Sequence, residues 1–222
     1  MSELIFIILL IICLVTIFFL HYYLNKRGLI FASVILNMLS FILNFKITTI
    51  FKMNVNMGIV AYISLLTVLY IYIIKYGKKE TKDIIIINFI TSIITAIIIT
   101  IMSYCIPAIT ETISINMEGT FEYNYKILIA YPIISLLSQY CVIKLYSFVS
   151  SLQSNNIISL MLTNIITGVL YTIIFYTICY INILSVKASI FISVTTYIIG
   201  LIVTIINIVF IELLIDGKKV AK

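Results

Sequence analysis

The sequence predicts an all-α, polytopic bundle of about seven transmembrane helices, with the N-terminus outside and the C-terminus inside. Of its 222 residues, 63% are hydrophobic and 10% are charged, whereas soluble domains average about 45–50% and about 25%. Seven apolar stretches reach or approach the roughly 20 residues that a bilayer-crossing helix needs. The polar segments between them alternate in basic charge. This composition excludes a water-soluble enzyme and a disordered chain.

The seven predicted spans account for most of the chain, which we treat as one integral membrane domain, residues 1–222. The spans are Leu4–Leu24, Leu29–Phe51, Gly58–Ile74, Ile84–Ile109, Ile127–Val149, Ile157–Leu184 and Ala188–Ile215. The first follows Met1-Ser2-Glu3 and lacks the basic start and the small-residue cleavage site of a secretion signal. We therefore expect this first helix to be retained.

The lysine and arginine residues predict the orientation. One side of the predicted bundle carries ten of them and the other side carries four. Because short cytoplasmic loops carry the excess of basic residues, the first side is assigned to the inside of a cell (plasma) membrane. The inside residues are Lys26, Arg27, Lys75, Lys78, Lys79, Lys82, Lys144, Lys218, Lys219 and Lys222; the outside ones are Lys46, Lys52, Lys126 and Lys187.

The sequence lacks the usual signatures of catalysis, and we expect neither an enzyme nor a bound cofactor or metal. It has no His-Glu-x-x-His, Gly-x-Ser-x-Gly or nucleotide-binding Gly-x-x-x-x-Gly-Lys motif. The single histidine, His21, lies among aromatic and basic residues at a predicted membrane interface. The four cysteines fall within or at the ends of spans, without the spacing of a zinc site or a disulfide framework. Nucleic acid is not an expected partner, since the net charge of +6 is explained by topology.

Polar side chains within the spans are the candidates for function. Asn164, Thr167 and Tyr171 are three and four residues apart, so they form one stripe on a helix, and Gln139-Tyr140 lies in the preceding span. Such groups either join helices through hydrogen bonds worth about 0.6–2 kcal/mol each or line a water-accessible pocket. Amides that donate and accept, next to aromatic rings, suit a neutral, planar solute.

Two charged residues near span ends also have two interpretations each. Lys46 either extends to the outer interface or points inward to hold an anionic group or a carbonyl. Glu212 either pairs with the Lys218 and Lys219 region or acts as a protonatable coupling group.

Several landmarks resemble the queuosine-precursor transporter family, also called the vitamin uptake transporter family. The landmarks are Lys46-Ile47, Gly58, Tyr76-Gly77-Lys78-Lys79, Pro107, Lys126-Ile127 through Ser138-Gln139, and Tyr171-Thr172-Ile173-Ile174-Phe175. The resemblance covers roughly residues 37–215. It implies a six-helix core, residues 28–216, preceded by an additional helix, residues 1–27. The family's acidic residues before Tyr76-Gly77 and before Thr172 are replaced by Ile74 and Tyr171.

The resemblance implies an importer, in a bacterial inner membrane, of a small heterocyclic solute such as a 7-deazaguanine precursor of queuosine or queuine. A pocket among the second, fifth, sixth and seventh spans would bind this solute, with Gln139, Asn164 and Thr167 on its edge and Tyr140 or Tyr171 on its face. The full set of expected solute-binding residues is Asn44, Lys46, Gln139, Tyr140, Asn164, Thr167, Tyr171 and Thr172. The segment Tyr76, Gly77, Lys78 and Lys79 would form a cytoplasmic hinge and anchor.

Two other functions stay open at this stage. One is a substrate-binding subunit of an energy-coupling-factor importer, which would work with a partner ATPase module. The other is a non-transporting scaffold, sensor or immunity-type protein built on a diverged transporter fold. The expected partners are the lipid bilayer and a small solute, with a homo-oligomer as a further option.

Overall fold

The computed structural model describes residues 2–104, 125–152, 155–180 and 184–216. Within these residues the chain forms six helical elements and one small β-hairpin. The elements are α1 (Ser2–Leu43), β1 (Ile47–Ile50), β2 (Met53–Asn56), α2 (Gly58–Tyr76), α3 (Lys78–Tyr104), α4 (Tyr125–Leu152), α5 (Asn156–Tyr180) and α6 (Val186–Asp216).

All six helical elements are long and apolar enough to cross a membrane, as expected for a multi-pass membrane protein. The predicted spans from the third onward correspond to α2–α6, with ends that differ by a few residues. Parts of two predicted spans fall outside the described residues: 105–109, which includes the predicted end of the fourth span, and 181–183, just before the predicted end of the sixth. Pro107 and the lysines at 218, 219 and 222 also lie outside them.

The first two predicted spans form one helical element, α1, which is broken at Asn25. This residue has φ 49° and ψ −118°, far from helical values. A straight helix of 42 residues would be about 63 Å long, yet the Phe51 backbone N–H contacts Glu3 Oε1 at 3.4 Å. A side chain at Gly28 would overlap the Leu20 carbonyl group. The element therefore doubles back on itself at Asn25, and glycine is required where its two arms meet.

The prediction that the second span continues to Phe51 is wrong. Helix α1 ends at Leu43, and residues 47–56 form an antiparallel hairpin in which Ile50 pairs with Met53. The first strand, Ile-Thr-Thr-Ile, consists entirely of β-branched residues, which favour strands. Its two-residue turn, Phe51-Lys52, has positive φ at both positions, as a tight hairpin requires.

Helix α2 lies at the centre of the bundle. Every residue from Gly58 to Ile73 is buried, whereas α1, α3 and α4–α6 each expose a face of large apolar side chains. Helix α2 packs against α1, α3, α4 and α6. A helix that is apolar and buried all round belongs to the core of a bundle, so side chains on α2 reach the elements that surround it.

The bundle has two distinct ends. At one, which we call the hairpin end, the Asn56 N–H donates to Thr196 Oγ1 at 3.1 Å, so the hairpin packs on α6. At the other, which we call the lysine end, Lys26 near the reversal of α1 pairs with Glu80 at 2.6 Å. The lysine end also contains the α2–α3 turn at Gly77. The described basic residues are divided between the two ends as the charge pattern predicted.

Candidate functional site

A junction of amides closes the hairpin end of the bundle around Gly58. Asn56 Nδ2 donates to the Asn44 carbonyl at 2.8 Å and to the Tyr180 hydroxyl at 3.0 Å. Asn56 Oδ1 accepts the Gly58 N–H at 2.8 Å, at the first residue of α2. A Cβ on Gly58 would lie 2.6 Å from the Asn44 amide. Glycine is needed here because the amide occupies the space of a side chain.

Two tyrosines of α5 form hydrogen bonds with the Asn44 side chain. The Tyr176 hydroxyl donates to Asn44 Oδ1 at 3.1 Å, and Asn44 Nδ2 donates to the Tyr171 hydroxyl at 3.4 Å. The Tyr171 ring stacks on Tyr62 of α2, with centroids 3.7 Å apart and planes within 7°. It also stacks on Phe175, with centroids 5.3 Å apart. The Asn44 side chain therefore contacts one ring of a buried aromatic stack.

Helix α2 extends these contacts towards the lysine end. The Tyr62 hydroxyl is hydrogen-bonded to Ser138 of α4. Two helical turns further along α2, about 12 Å away, the Tyr70 hydroxyl donates to Asn164 Oδ1 of α5 at 2.7 Å. All of these side chains are buried. We call the whole set the tyrosine–amide column: Asn44, Asn56, Tyr62, Tyr70, Ser138, Asn164, Tyr171, Tyr176 and Tyr180.

A second buried polar group joins α1, α3 and α4. Asn88 Nδ2 donates to Gln139 Oε1 at 3.0 Å, and Gln139 Nε2 donates to Ser135 Oγ at 2.8 Å. Asn37 Nδ2 donates to the Asn88 carbonyl at 2.9 Å. The Tyr131 hydroxyl donates to Asn37 Oδ1 at 3.2 Å. We call the set Asn37, Asn88, Tyr131, Ser135 and Gln139 the Asn88 cluster.

A third polar contact lies between α2 and α6. Asn207 Nδ2 donates to Thr67 Oγ1 at 2.9 Å and to Ser64 Oγ at 3.4 Å. Asn207 is buried, and its Oδ1 has no hydrogen-bond partner within the described part of the chain. An unpartnered buried acceptor is costly, so this oxygen is suited to a donor beyond those of the described residues.

The expected site residues divide between these groups. Asn44, Asn164 and Tyr171 belong to the tyrosine–amide column, whereas Gln139 belongs to the Asn88 cluster. The expectation that Gln139 and Asn164 bind one solute edge together is therefore not met in this conformation. The reason is that Gln139 faces α1 and α3, whereas Asn164 faces Tyr70 of α2.

Two expected residues lie outside the buried groups. The Lys46 side chain is exposed between α1 and the hairpin, because α1 ends three residues earlier. Tyr140 is 39% exposed, and its ring is flanked by Lys82 and Lys144 at the lysine end. Neither side chain lies in the bundle interior in the observed conformation, and for Lys46 this matches the alternative in which it extends to the outer interface.

Thr167 and Thr172 are buried, and their hydroxyls donate to carbonyls one turn earlier in α5. Thr172 and Asn164 line a crevice of about 10 Å³ between α2, α5 and α6. A single water needs roughly 10–15 Å³, so this crevice holds no solute in the conformation observed.

The expected hinge is the turn between α2 and α3. Gly77 has φ 85°, and its N–H donates to the Ile73 carbonyl at 3.0 Å, which closes α2. The Thr81 hydroxyl donates to the Gly77 carbonyl at 2.8 Å in the first turn of α3. Glu212, for which coupling was one of two expected roles, is exposed near the lysine end of α6. The structure places it apart from the tyrosine–amide column.

Sequence reasoning missed Tyr62, Tyr70 and Asn88, which make central contacts of the buried groups. Helix α2 contains four tyrosines within an otherwise apolar sequence, and these tyrosines are the signal of hydroxyl partners. Asn88 is the single amide of α3, and an amide in the middle of an apolar span is the signal that identifies it.

The tyrosine–amide column consists of neutral groups that donate and accept hydrogen bonds beside stacked rings. In the described residues, histidine, cysteine and carboxylate side chains form no group of three that could hold a metal.

Comparison with models of protein families, with curated proteins and with solved structures finds no match to this chain. The resemblance to queuosine-precursor transporters therefore rests on the sequence landmarks alone.

Proposed function

We propose that the chain is a membrane transporter for a small, uncharged, planar solute, and that it crosses the membrane seven times. The solute class that the sequence landmarks favour is a 7-deazaguanine precursor of queuosine or queuine. The observation that carries the proposal is the tyrosine–amide column, which brings nine uncharged polar side chains into the interior of an apolar bundle.

The geometry of α1 supports the proposal of seven crossings. Its two arms run in opposite directions from Asn25, and Glu3 reaches the residues beyond its far end. The first arm, residues 2–24, is about 34 Å long and the second, residues 26–43, about 27 Å. Both approach the roughly 30 Å of a hydrocarbon core. With the basic residues facing the cytoplasm, the N-terminus lies outside and the C-terminus inside.

The chemistry of the tyrosine–amide column suits a planar heterocycle. Each asparagine presents a donor and an acceptor side by side, which match the edge of a purine-like base. The stacked pair Tyr62 and Tyr171 offers two ring faces, one of which a flat solute would cover after the rings separate. The free acceptor of Asn207 would take a donor from the solute or from a water that accompanies it.

Transport requires that this interior open and close. In the observed conformation the amides of the column form hydrogen bonds with tyrosine hydroxyls of neighbouring helices. In the proposed transport cycle this conformation is the closed state. A solute that donates and accepts in their place would replace these bonds with its own. Because each interhelical bond in a membrane is worth only about 0.6 kcal/mol on average, the exchange needs little energy per contact.

The side chains of the tyrosine–amide column hydrogen-bond to one another. This observation favours a second candidate function, a non-transporting membrane scaffold or sensor. In that case the hydrogen bonds only hold α1, α2, α4 and α5 together. The two functions differ in whether a solute binds the folded protein.

A thermal-unfolding screen of the detergent-purified protein tests the proposal. We expect one member of a panel of purines, 7-deazapurines and vitamins to stabilise the fold, by about 2.7 kcal/mol at one hundred times its Kd. The variant Asn164→Ala is expected to lose this stabilisation. The matched control Asn54→Ala, at an exposed hairpin position, is expected to retain it. A folded protein that no compound stabilises would instead support the scaffold.

A further inference from the structure

The lysine end of the bundle has a groove between α3 and α4 that the proposed transport function does not use. It has a volume of about 600 Å³ and opens to the surface. Its lining combines four lysines with two aromatic rings. These six residues are Lys78, Lys79, Lys82, Lys144, Tyr140 and Phe148.

The charge in this groove is strongly positive. All four lysine side chains are exposed, and within the described residues no ion pair joins any of them to a carboxylate. Glu80, on the same turn of α3, pairs with Lys26 of α1 instead. Asp83 is exposed beside Lys82 and leaves a net charge of +3 over these five residues. The groove therefore attracts an anion.

Tyr140 lies close to two of the ammonium groups that line the groove. Its ring centroid lies 5.2 Å from Lys144 Nζ and 6.0 Å from Lys82 Nζ. Cation–π contacts at this distance are attractive. Two helices thus each place an ammonium group within about 6 Å of the same ring, and both ammonium groups can donate to oxygens of one phosphate group.

The groove continues as an apolar track towards the middle of the membrane. On α3, one and two turns beyond Lys82, Ile86 and Ile90 are about half exposed. On α4, the turns that precede Tyr140 expose Leu137 and Ile133 to a similar degree. A free inorganic anion uses only the lysines. A molecule with an anionic head and acyl chains uses both the lysines and the track.

We propose that this groove binds the phosphate group of an anionic phospholipid in the leaflet at the lysine end. The phosphate lies between Lys82 and Lys144, and the acyl chains lie along the exposed isoleucine and leucine side chains of α3 and α4. Basic pockets between transmembrane helices on the cytoplasmic side are suited to such headgroups. The lipid fixes α4 against α3 at the end where the helices meet the interface.

Lipid binding to the full chain in dodecyl maltoside micelles, followed by native mass spectrometry, tests this proposal. The probes are phosphatidylglycerol, phosphatidylcholine with the same acyl chains, and inorganic phosphate. Each lysine near a membrane surface contributes roughly a factor of five to binding an anionic lipid. We therefore expect K82Q/K144Q to bind phosphatidylglycerol about 30-fold more weakly than the unaltered protein, with phosphatidylcholine binding unchanged.

The matched control is K52Q/K187Q, which removes two exposed lysines from the hairpin end. A second variant, K82R/K144R, keeps the charge and is expected to keep the affinity. Equal loss of phosphatidylglycerol binding in the groove variant and the hairpin-end variant would overturn the proposal. Competition by inorganic phosphate at the same concentration as the lipid would overturn the assignment to a lipid, because the apolar track would then contribute nothing.

Discussion

The hydrogen bond between Asn44 and Tyr176 provides a quantitative test of the buried column. It joins α1 to α5 at 3.1 Å, and both side chains are fully buried. Interhelical hydrogen bonds in membrane proteins average about 0.6 kcal/mol and reach about 1.7 kcal/mol. Because water does not reach either partner, we expect a coupling energy in the upper part of this range, about 1–1.7 kcal/mol.

A double-mutant cycle measures this coupling. Tyr176→Phe removes one hydroxyl and is expected to cost about 1 kcal/mol of unfolding free energy. Asn44→Ala also loses its contact with Tyr171 and leaves a small hole beside Gly58, so we expect a loss of about 2–3 kcal/mol. The double variant is expected to lose about 1–1.7 kcal/mol less than the sum of the two single losses.

The assay is unfolding by sodium dodecyl sulfate in mixed micelles, followed by far-ultraviolet circular dichroism. The control cycle combines Asn44→Ala with Tyr197→Phe, because the Tyr197 hydroxyl donates to the Ile165 carbonyl and not to Asn44. That pair is expected to be additive within about 0.3–0.5 kcal/mol. If the Asn44 and Tyr176 losses are equally additive, the described contact contributes nothing and the reasoning is refuted.

Two further predictions concern packing and topology. Gly58→Ala is expected to destabilise the protein by about 1–3 kcal/mol through overpacking, because its methyl group meets the Asn44 amide. Gly200→Ala, whose methyl group meets only isoleucine side chains, the nearest at 3.1 Å, is expected to cost less in the same unfolding assay. Equal losses would contradict the assignment. In a background without the native cysteines, a membrane-impermeant maleimide is expected to label Ser2→Cys and Thr49→Cys in intact cells but Lys79→Cys only after permeabilisation. Labelling of Ser2→Cys and Thr49→Cys from opposite sides would show that α1 crosses the membrane once.

Composition was sufficient to predict the membrane helices, because hydropathy depends on single residues. The break between the first two predicted spans also left a local signal: Asn25, Lys26 and Arg27 interrupt the apolar run, and Asn25 has the non-helical backbone. The hairpin was missed for the opposite reason. Hydropathy does not separate Ile47–Ile50 from the end of the preceding apolar span. Only the β-branched side chains of this segment indicate a strand.

The interior contacts could be predicted only in part. Asn44, Gln139, Asn164 and Tyr171 were expected inside the bundle because amides and hydroxyls are costly in lipid, and all four are buried. Their partners were not predictable, since each bond between helices joins residues far apart in the chain. Asn44 and Tyr176 are 132 positions apart.

Lys46 and Tyr140 show a different limit of sequence reasoning. Tyr140 was grouped with its neighbour Gln139 in the expected site, and Lys46 was included as one of two open alternatives, the other being the outer interface. In a helix, however, neighbours in sequence point about 100° apart, so Gln139 faces inward while Tyr140 faces outward. For Lys46, the early end of α1 moved the residue out of a helix altogether.

Uptake of a labelled 7-deazaguanine by proteoliposomes that contain only this protein tests the transport proposal most directly. The account predicts saturable uptake that unlabelled solute competes away and that Asn164→Ala reduces at least tenfold, with Asn54→Ala unchanged. Folded protein that takes up no purine or deazapurine, in either orientation and with or without a proton gradient, would contradict the account.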